Sequence, residues 1–109
     1  MKTLAKELLN RAEKYNRSAT IYGEFQYIES AQYYSGMNEI MNNVLEMVED
    51  PKHTLEMIIA KITGTLPMME KQIVACANHN NRTSMQYYCG NRDASNEILK
   101  LINDMQPAN

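Results

Sequence analysis

The strongest constraint on the fold is a repeat within the chain. Residues 32–50 (QYYSGMNEIMNNVLEMVED) and residues 86–104 (QYYCGNRDASNEILKLIND) align at a constant offset of 54 with seven identities in 19 positions. The identical pairs are Gln32/Gln86, Tyr33/Tyr87, Tyr34/Tyr88, Gly36/Gly90, Asn42/Asn96, Leu45/Leu99 and Asp50/Asp104. We therefore expect one domain, 1–109, of two related helical hairpins, about 1–50 and 51–109. Convergent composition of two amphipathic helices is the alternative explanation.

Both copies of the repeat place apolar residues on one side of a helix. At about 100° per residue, the first face comprises Tyr33, Met37, Ile40, Val44, Met47 and Val48, and the second Tyr87, Ala94, Ile98, Leu101, Ile102 and Met105. Gly36 and Gly90 lie at the edges of these faces, although a glycine inside a helix costs ~1 kcal/mol relative to alanine. The pair predicts a close approach of helices, with an aromatic ring of a neighbour in the notch. Space for a ligand is the alternative.

Helices are predicted almost throughout, at about 2–17, 24–49, 51–63 and 67–105. No segment alternates with the period of a strand. Asp50-Pro51 predicts a helix start, Gly64 a helix end, Pro67 a new start and Pro107 the final end. The last helix would span about 57 Å, so it either breaks near residues 78–83 or belongs to an elongated or dimeric assembly. The fold class is all-α, a small bundle of four to five helices, with a homodimer expected to complete the core.

Composition and charge limit the classes of function. The chain carries 11 Lys and Arg against 13 Asp and Glu, for a formal charge of −2. This balance argues against a strongly basic nucleic-acid-binding protein and against a polybasic membrane surface. Two cysteines cannot form a disulfide framework. No apolar run approaches the ~20 residues of a membrane span, and the polar N-terminal residues do not resemble a signal sequence. We expect a cytoplasmic protein with no membrane association.

The last predicted helix carries polar residues on the side that should be buried. Three explanations remain open: a loop breaks the helix at residues 78–83, the polar groups are paired in a core or wet interface, or they line a pocket for a small polar ligand. In the third case the candidate ligand contacts are Tyr33, Asn80, Arg82, Ser84, Tyr87 and Asn91.

Signals for catalysis and metal binding are weak. Cys76 and His79 share a helix face, but a structural zinc site needs four ligands, and Cys89 would point away from them. No metal, no cofactor and no catalytic residues are predicted. The leading hypothesis is a small non-enzymatic interaction protein, an inhibitor or regulator that binds a protein partner; the 12 asparagines fit an AT-rich source such as a phage or mobile element. The alternatives are the ligand-binding protein above and a weak helix-turn-helix DNA-binding regulator over residues 59–73; nucleic acid is not the expected partner.

Overall fold

The computed structural model describes residues 1–106, and the regular structure within them is entirely helical. Four helices follow one another along the chain: α1 (Lys2–Glu24), α2 (Ile28–Glu49), α3 (Leu55–Asn78) and α4 (Arg82–Met105). The prediction of an all-α helical bundle is confirmed, with four helices. Pro107, expected to mark the end of the last helix, lies outside the described residues.

The first two helix boundaries differ from the prediction near the α1–α2 connection. Residues 18–23, predicted to be a connection, continue α1 to Glu24. The ring of Tyr22 stacks on that of Tyr34 with 5.6 Å between centroids, and this packing supports the helix through the residues that were expected to form a connection. The connection is instead residues 25–27, where Gln26 adopts a φ of 62°.

The third helix was predicted wrongly at both ends. It begins at Leu55, because Thr54, and not the Asp50-Pro51 pair, is its N-cap: the Thr54 hydroxyl accepts a hydrogen bond from the Met57 N–H at 3.2 Å. The helix passes through Gly64 and Pro67 without ending. Ile58 and Ile62 are buried before these two residues (0% and 3% exposed), and the Met69 sulfur accepts a hydrogen bond from the Ser95 hydroxyl after them. Packing on both sides therefore outweighs the two local helix-breaking residues.

The predicted long helix at 67–105 is interrupted. Of the two alternatives given for it, a break near residues 78–83 or an elongated or dimeric assembly, the structure shows the break. Residues 79–81 link α3 to α4, and Asn80 adopts a φ of 55°. The Asn81 side chain then caps α4 by accepting a hydrogen bond from the Ser84 N–H at 3.1 Å.

The two hairpin connections have the same backbone hydrogen bonds at positions 54 apart. The Tyr27 N–H donates to the Tyr22 carbonyl at 2.9 Å, and the Asn81 N–H donates to the Cys76 carbonyl at 2.8 Å. In each connection the central residue is the one with positive φ. The same turn is therefore made from Phe-Gln-Tyr in one hairpin and from His-Asn-Asn in the other.

Helices α2 and α4 form the centre of the bundle and run parallel to each other. Each is antiparallel to its hairpin partner, α1 or α3. A Cβ atom added to Gly36 would overlap the carbonyl oxygen of Tyr87, and one added to Gly90 would overlap the carbonyl oxygen of Tyr33. The predicted close approach is confirmed, but backbone carbonyls fill the notches, so the expectation of an aromatic ring there was wrong.

The core lies along α2 and α4 and is closed by one side of α1 and of α3. Its buried hydrophobic residues are Leu4, Leu8, Ala12, Tyr15, Met37, Met41, Val44, Val48, Ile58, Ile62, Ala94, Ile98 and Ile102. Four pairs of these are 54 positions apart: Leu4/Ile58, Leu8/Ile62, Val44/Ile98 and Val48/Ile102. Burial thus follows the offset even in α1 and α3, where the sequences do not match. Among the helices of residues 1–106, none combines the length and the apolar character needed to cross a membrane.

Candidate functional site

Two shallow grooves flank the crossing of α2 and α4, and their linings correspond at the offset of 54. The first groove is lined by Tyr22, Glu29, Ser30, Tyr33, Tyr34 and Gln86, and the second groove by Gln32, Thr83, Ser84, Tyr87 and Tyr88. Each groove therefore combines a serine and two tyrosines from one helix with a glutamine from the other. The Tyr-Tyr pairs are arranged edge to face in both, with centroids 5.2 Å and 5.4 Å apart.

The two grooves differ in what covers the second tyrosine of each pair. Tyr34 lies between two further rings, Tyr15 at 6.0 Å and Tyr22 at 5.6 Å, both stacked on it. The positions equivalent to Tyr15 and Tyr22 in the second hairpin are Met69 and Cys76. Tyr88 therefore contacts no stacked ring from α3, and the second groove lacks the aromatic wall that completes the first.

A half-buried charged cluster joins α1 to α4 below the first groove. The Glu97 carboxylate accepts hydrogen bonds from the Tyr15 hydroxyl at 2.8 and 2.9 Å and from the Arg11 guanidinium at 2.7 Å. Burial, the hydrogen bond to Glu97 and its negative charge raise the pKa of Tyr15 well above the ordinary 10.0. The corresponding residues of the other hairpin, Thr65 and Met69, line instead a small pocket of about 120 Å³ between α2 and α3.

Tyr33 makes a second tyrosine–carboxylate pair at the crossing itself. Its hydroxyl donates to Asp93 at 2.5 Å, and the Arg92 guanidinium donates to the same carboxylate at 3.0 Å. Burial first, and then the hydrogen bond and charge of Asp93, raise the pKa of Tyr33 above its ordinary value. Both tyrosines are therefore neutral hydrogen-bond donors at neutral pH, tied to their carboxylates.

The structure brings some of the predicted ligand contacts together and separates others. Ser84 and Tyr87 line the second groove, and Tyr33 lines the first. Asn80 and Arg82 are exposed at the α3–α4 connection. Asn91 is 7% exposed and lies about 10 Å along α4 from Ser84, at 1.5 Å per residue. The six residues thus do not surround one closed pocket.

Asn91 and Ser95 are the buried polar residues of α4, and both are hydrogen-bonded. The Asn91 amide donates to the Gly36 carbonyl at 2.7 Å, and the Ser95 hydroxyl donates to the Asn91 carbonyl at 2.8 Å. The polar side of the predicted helix 67–105 therefore has two explanations, each at a different part of it. A connection interrupts the helix at 79–81, and a paired polar core lies at 91 and 95.

Sequence reasoning missed two features of the site. It did not include Tyr34, Tyr88, Gln32 or Gln86 among the candidate ligand contacts, although the repeated QYY segment marks both grooves. It also did not identify Glu97 as a residue that contacts α1. No pattern within α4 indicates the Glu97 contacts, since Arg11 and Tyr15 are more than 80 positions away.

The α1–α2 connection exposes a cluster of large apolar side chains, which we name the apolar tip. Its members are Ile21, Phe25, Tyr27 and Ile28, with 52%, 69%, 62% and 50% of their surfaces exposed. Residues 21–29 also contain two glutamates and no lysine or arginine. The equivalent positions of the other connection are Ala75, His79, Asn81 and Arg82. The same turn therefore forms in the other connection without large apolar side chains at these positions.

Other predicted features have clear positions. Residues 59–73 lie within α3, so this segment contains no turn and does not form a helix-turn-helix. Cys76 and Cys89 are free thiols, and burial raises the pKa of the Cys89 thiol. Among residues 1–106, no three His, Cys, Asp or Glu side chains lie together in a way that could hold a metal ion.

Comparisons with known proteins returned no match to this chain among family models, curated proteins or solved structures. Function is therefore inferred from the residues and their geometry.

Proposed function

We propose that this chain is a small, non-enzymatic, cytoplasmic interaction protein that binds another protein through the apolar tip. The observation that carries the proposal is the contrast between the two connections. Both form the same turn, yet one exposes four large apolar side chains and the other does not. Exposed apolar groups that the fold does not need are typical of a binding surface.

The size and charge of the apolar tip define the partner. At these exposures the four side chains present on the order of 400 Å² of surface, enough for the centre of a modest interface. Phe25 and Tyr27 are residues of the kind that contribute most to binding energy. Glu24 and Glu29 flank them without a neighbouring cation in residues 21–29. The partner is therefore a protein with an apolar cleft bordered by lysine or arginine.

The partner can be identified and the surface tested with one set of variants. A photo-reactive phenylalanine replaces Phe25, or Met68 as a control, since Met68 is also exposed (62%) but lies on α3. Crosslinking in the native host followed by mass spectrometry identifies proteins that reach position 25 and not position 68. The purified partner is then titrated with the wild-type chain and with a tip-exchange variant carrying Ile21→Ala, Phe25→His, Tyr27→Asn and Ile28→Arg.

The tip-exchange variant places at the apolar tip the side chains that the other connection already carries, so it should fold. We expect it to bind the partner at least about 100-fold more weakly, the loss of about two aromatic anchor residues. The Met68→Gln control should bind as the wild type does. Unchanged affinity of the tip-exchange variant would show that the apolar tip is not the binding surface.

Self-association is the alternative use of the same surface. The homodimer expected from the sequence stays a prediction, and sedimentation velocity of the full chain tests it. A dimer that the tip-exchange variant abolishes would assign the apolar tip to a second copy of this chain, in place of a different protein.

We further propose that the bundle arose by duplication of one helical hairpin. The matched turns, the matched buried positions and the reciprocal contacts of Gly36 with Tyr87 and of Gly90 with Tyr33 support this origin. Exchanging residues 25–27 with residues 79–81 moves the Asn81 cap from α4 to the start of α2. If the halves are equivalent, the exchange should then change the free energy of unfolding by no more than about 1 kcal/mol, the typical contribution of one N-cap. A larger loss, measured by urea denaturation, would contradict the equivalence.

A further inference from the structure

The first groove contains a carboxylate, and the second groove does not. Glu29 lines the first groove, and Thr83 lines the second at the equivalent position. The serine, the tyrosine pair and the glutamine are common to both grooves. Glu29 is therefore the one charged side chain in the linings of these two grooves, as far as residues 1–106 describe them.

No cation of residues 1–106 forms an ion pair with Glu29. Arg82 lies exposed at the start of α4, on the other helix that lines the groove, but it is not paired with Glu29. Arg92 is held by Asp93 at 3.0 Å. The positive end of α2 lies beside the negative end of α1, so the two helix dipoles oppose each other at the groove. The charge of Glu29 is thus left for a cation from outside the chain.

The tyrosine rings of the first groove can also attract a cation. The rings of Tyr33 and Tyr34 lie at 83° to each other, with centroids 5.2 Å apart. A group in the corner between two such rings meets the face of at least one of them, and the faces of aromatic rings attract cations. The Tyr33 hydroxyl donates to the charged Asp93 carboxylate, which polarises the phenol and makes its ring richer in electrons.

The polar groups of the first groove suit a cation that carries N–H bonds. The Glu29 carboxylate, the Ser30 hydroxyl and the Gln86 amide oxygen can all accept hydrogen bonds. The groove has a volume of about 340 Å³, within the range of roughly 300–1,000 Å³ that is typical of small-molecule sites. It can therefore hold an ammonium or guanidinium group together with the alkyl chain that carries it.

We propose that the first groove binds an organic cation with N–H groups, an alkylammonium or an alkylguanidinium, between Glu29 and the tyrosine rings. A free amine and the side chain of a lysine or arginine share this chemistry. The inference goes beyond the proposed function, because it concerns the groove beside the apolar tip and is tested without a protein partner.

The test is an NMR titration of the full chain with n-butylammonium at constant ionic strength. Amide signals of residues 29–34 should shift with a dissociation constant on the order of 10 mM. The probe's own methylene signals should move upfield, because the ring currents of the tyrosines act on them. Raising the salt concentration to about 0.5 M should weaken binding at least about threefold by screening.

Two other probes separate the contributions of charge and of hydrogen bonding. The neutral n-butanol has a chain of the same length and should bind at least about fivefold more weakly. Tetramethylammonium keeps the charge but has no N–H group, and it should bind at least about threefold more weakly. Capped lysine distinguishes the sources of the cation: binding at least about tenfold tighter than that of n-butylammonium indicates a peptide side chain, and equal or weaker binding indicates a free amine.

A reciprocal pair of substitutions locates the cation. Glu29→Thr gives the first groove the residue of the second, and it should weaken binding of n-butylammonium at least about fivefold. Thr83→Glu gives the second groove a carboxylate, and it should produce new shifts at residues 83–88. Both positions are exposed in the first turn of a helix, so both variants should fold, and their melting temperatures check this.

Several results would overturn the proposal. Absence of shifts at residues 29–34 with n-butylammonium up to about 0.1 M excludes the site. Equal binding of n-butanol excludes charge as its basis. Unchanged binding by a folded Glu29→Thr variant excludes the location. None of these results depends on a protein partner, so failure of this proposal and failure of the apolar tip as a binding surface are seen separately.

Discussion

Replacement of Gly36 by alanine gives the most direct test of the helix crossing. Two opposing effects act on this variant. Removing a glycine from a helix interior stabilises the folded state by about 1 kcal/mol. Against this, the new Cβ would overlap the carbonyl oxygen of Tyr87, which belongs to the backbone of α4 and cannot rotate away. The two central helices must therefore separate.

Separation of the helices affects more than one contact. Inserting a methyl group into a filled space costs about 1–3 kcal/mol, and the hydrogen bond from Asn91 to the Gly36 carbonyl, worth about 1 kcal/mol, lengthens with it. The net expectation for Gly36→Ala is a loss of about 1–3 kcal/mol in the free energy of unfolding. Gly90→Ala should show a similar loss, because its Cβ meets the carbonyl of Tyr33 in the same way.

Gly64 provides a matched control within the same chain. It lies inside α3, and no atom stands within 4 Å of a Cβ placed on it. Gly64→Ala should therefore show the helix propensity gain alone, about 1 kcal/mol, or a rise of about 4–8 °C in melting temperature. Urea denaturation followed by circular dichroism should separate Gly36→Ala from Gly64→Ala by about 2–4 kcal/mol. Equal stabilisation by both substitutions would refute the close approach of α2 and α4.

Three further substitutions test other parts of the bundle by the same denaturation assay. Tyr15→Phe should cost about 1–2 kcal/mol at neutral pH, since the charged Glu97 loses a hydrogen-bond donor but keeps another. Burial and Glu97 raise the pKa of Tyr15 in the folded chain above 10.0, so its contribution to the free energy of unfolding is complete below pH 10 and is lost as the pH rises further. Tyr15→Phe should therefore also reduce the loss of stability at alkaline pH. An unchanged dependence of the free energy of unfolding on pH above 10 would contradict this. Pro67→Ala should stabilise by about 1–3 kcal/mol by restoring a helical N–H, and a loss of stability would show that α3 needs the proline. Asn91→Leu should destabilise by about 1–3 kcal/mol, because it removes the hydrogen bond from Asn91 to the Gly36 carbonyl and inserts a larger side chain at a buried position of the helix crossing; a neutral effect would show that this hydrogen bond matters little.

The sequence predicted the relation between α2 and α4 better than the limits of the helices. The offset of 54 and the two glycines led to the crossing, because a repeated glycine in a helix indicates a backbone contact. The breaks at Gly64 and Pro67 were wrong because local propensities cannot report tertiary contacts. Ile62 is buried before these residues, and Met69 contacts Ser95 after them. Helix ends are decided by a few hydrogen bonds, such as that of Thr54, which several residue types can provide equally well.

The candidate site was only partly visible in the sequence for a related reason. Tyr33, Ser84 and Tyr87 were identified because polar and aromatic residues occur on the inward side of a helix. The apolar tip was missed because α1 was expected to end at residue 17, which placed Ile21 in a connection. The stacking of Tyr22 on Tyr34 depends on the real length of α1, so the difference between the grooves could not be seen beforehand.

The backbone contact at Gly36 and Gly90 also limits how this protein can evolve. When two side chains collide in a core, a smaller residue at either position can relieve the collision, so a harmful substitution can be rescued by a second one. At these glycines the opposing atom is a carbonyl oxygen, which every amino acid carries. A side chain gained at either position therefore cannot be compensated by a second substitution. The core nearby contains methionines and should tolerate changes in side-chain size, but Gly36 and Gly90 should not tolerate any side chain.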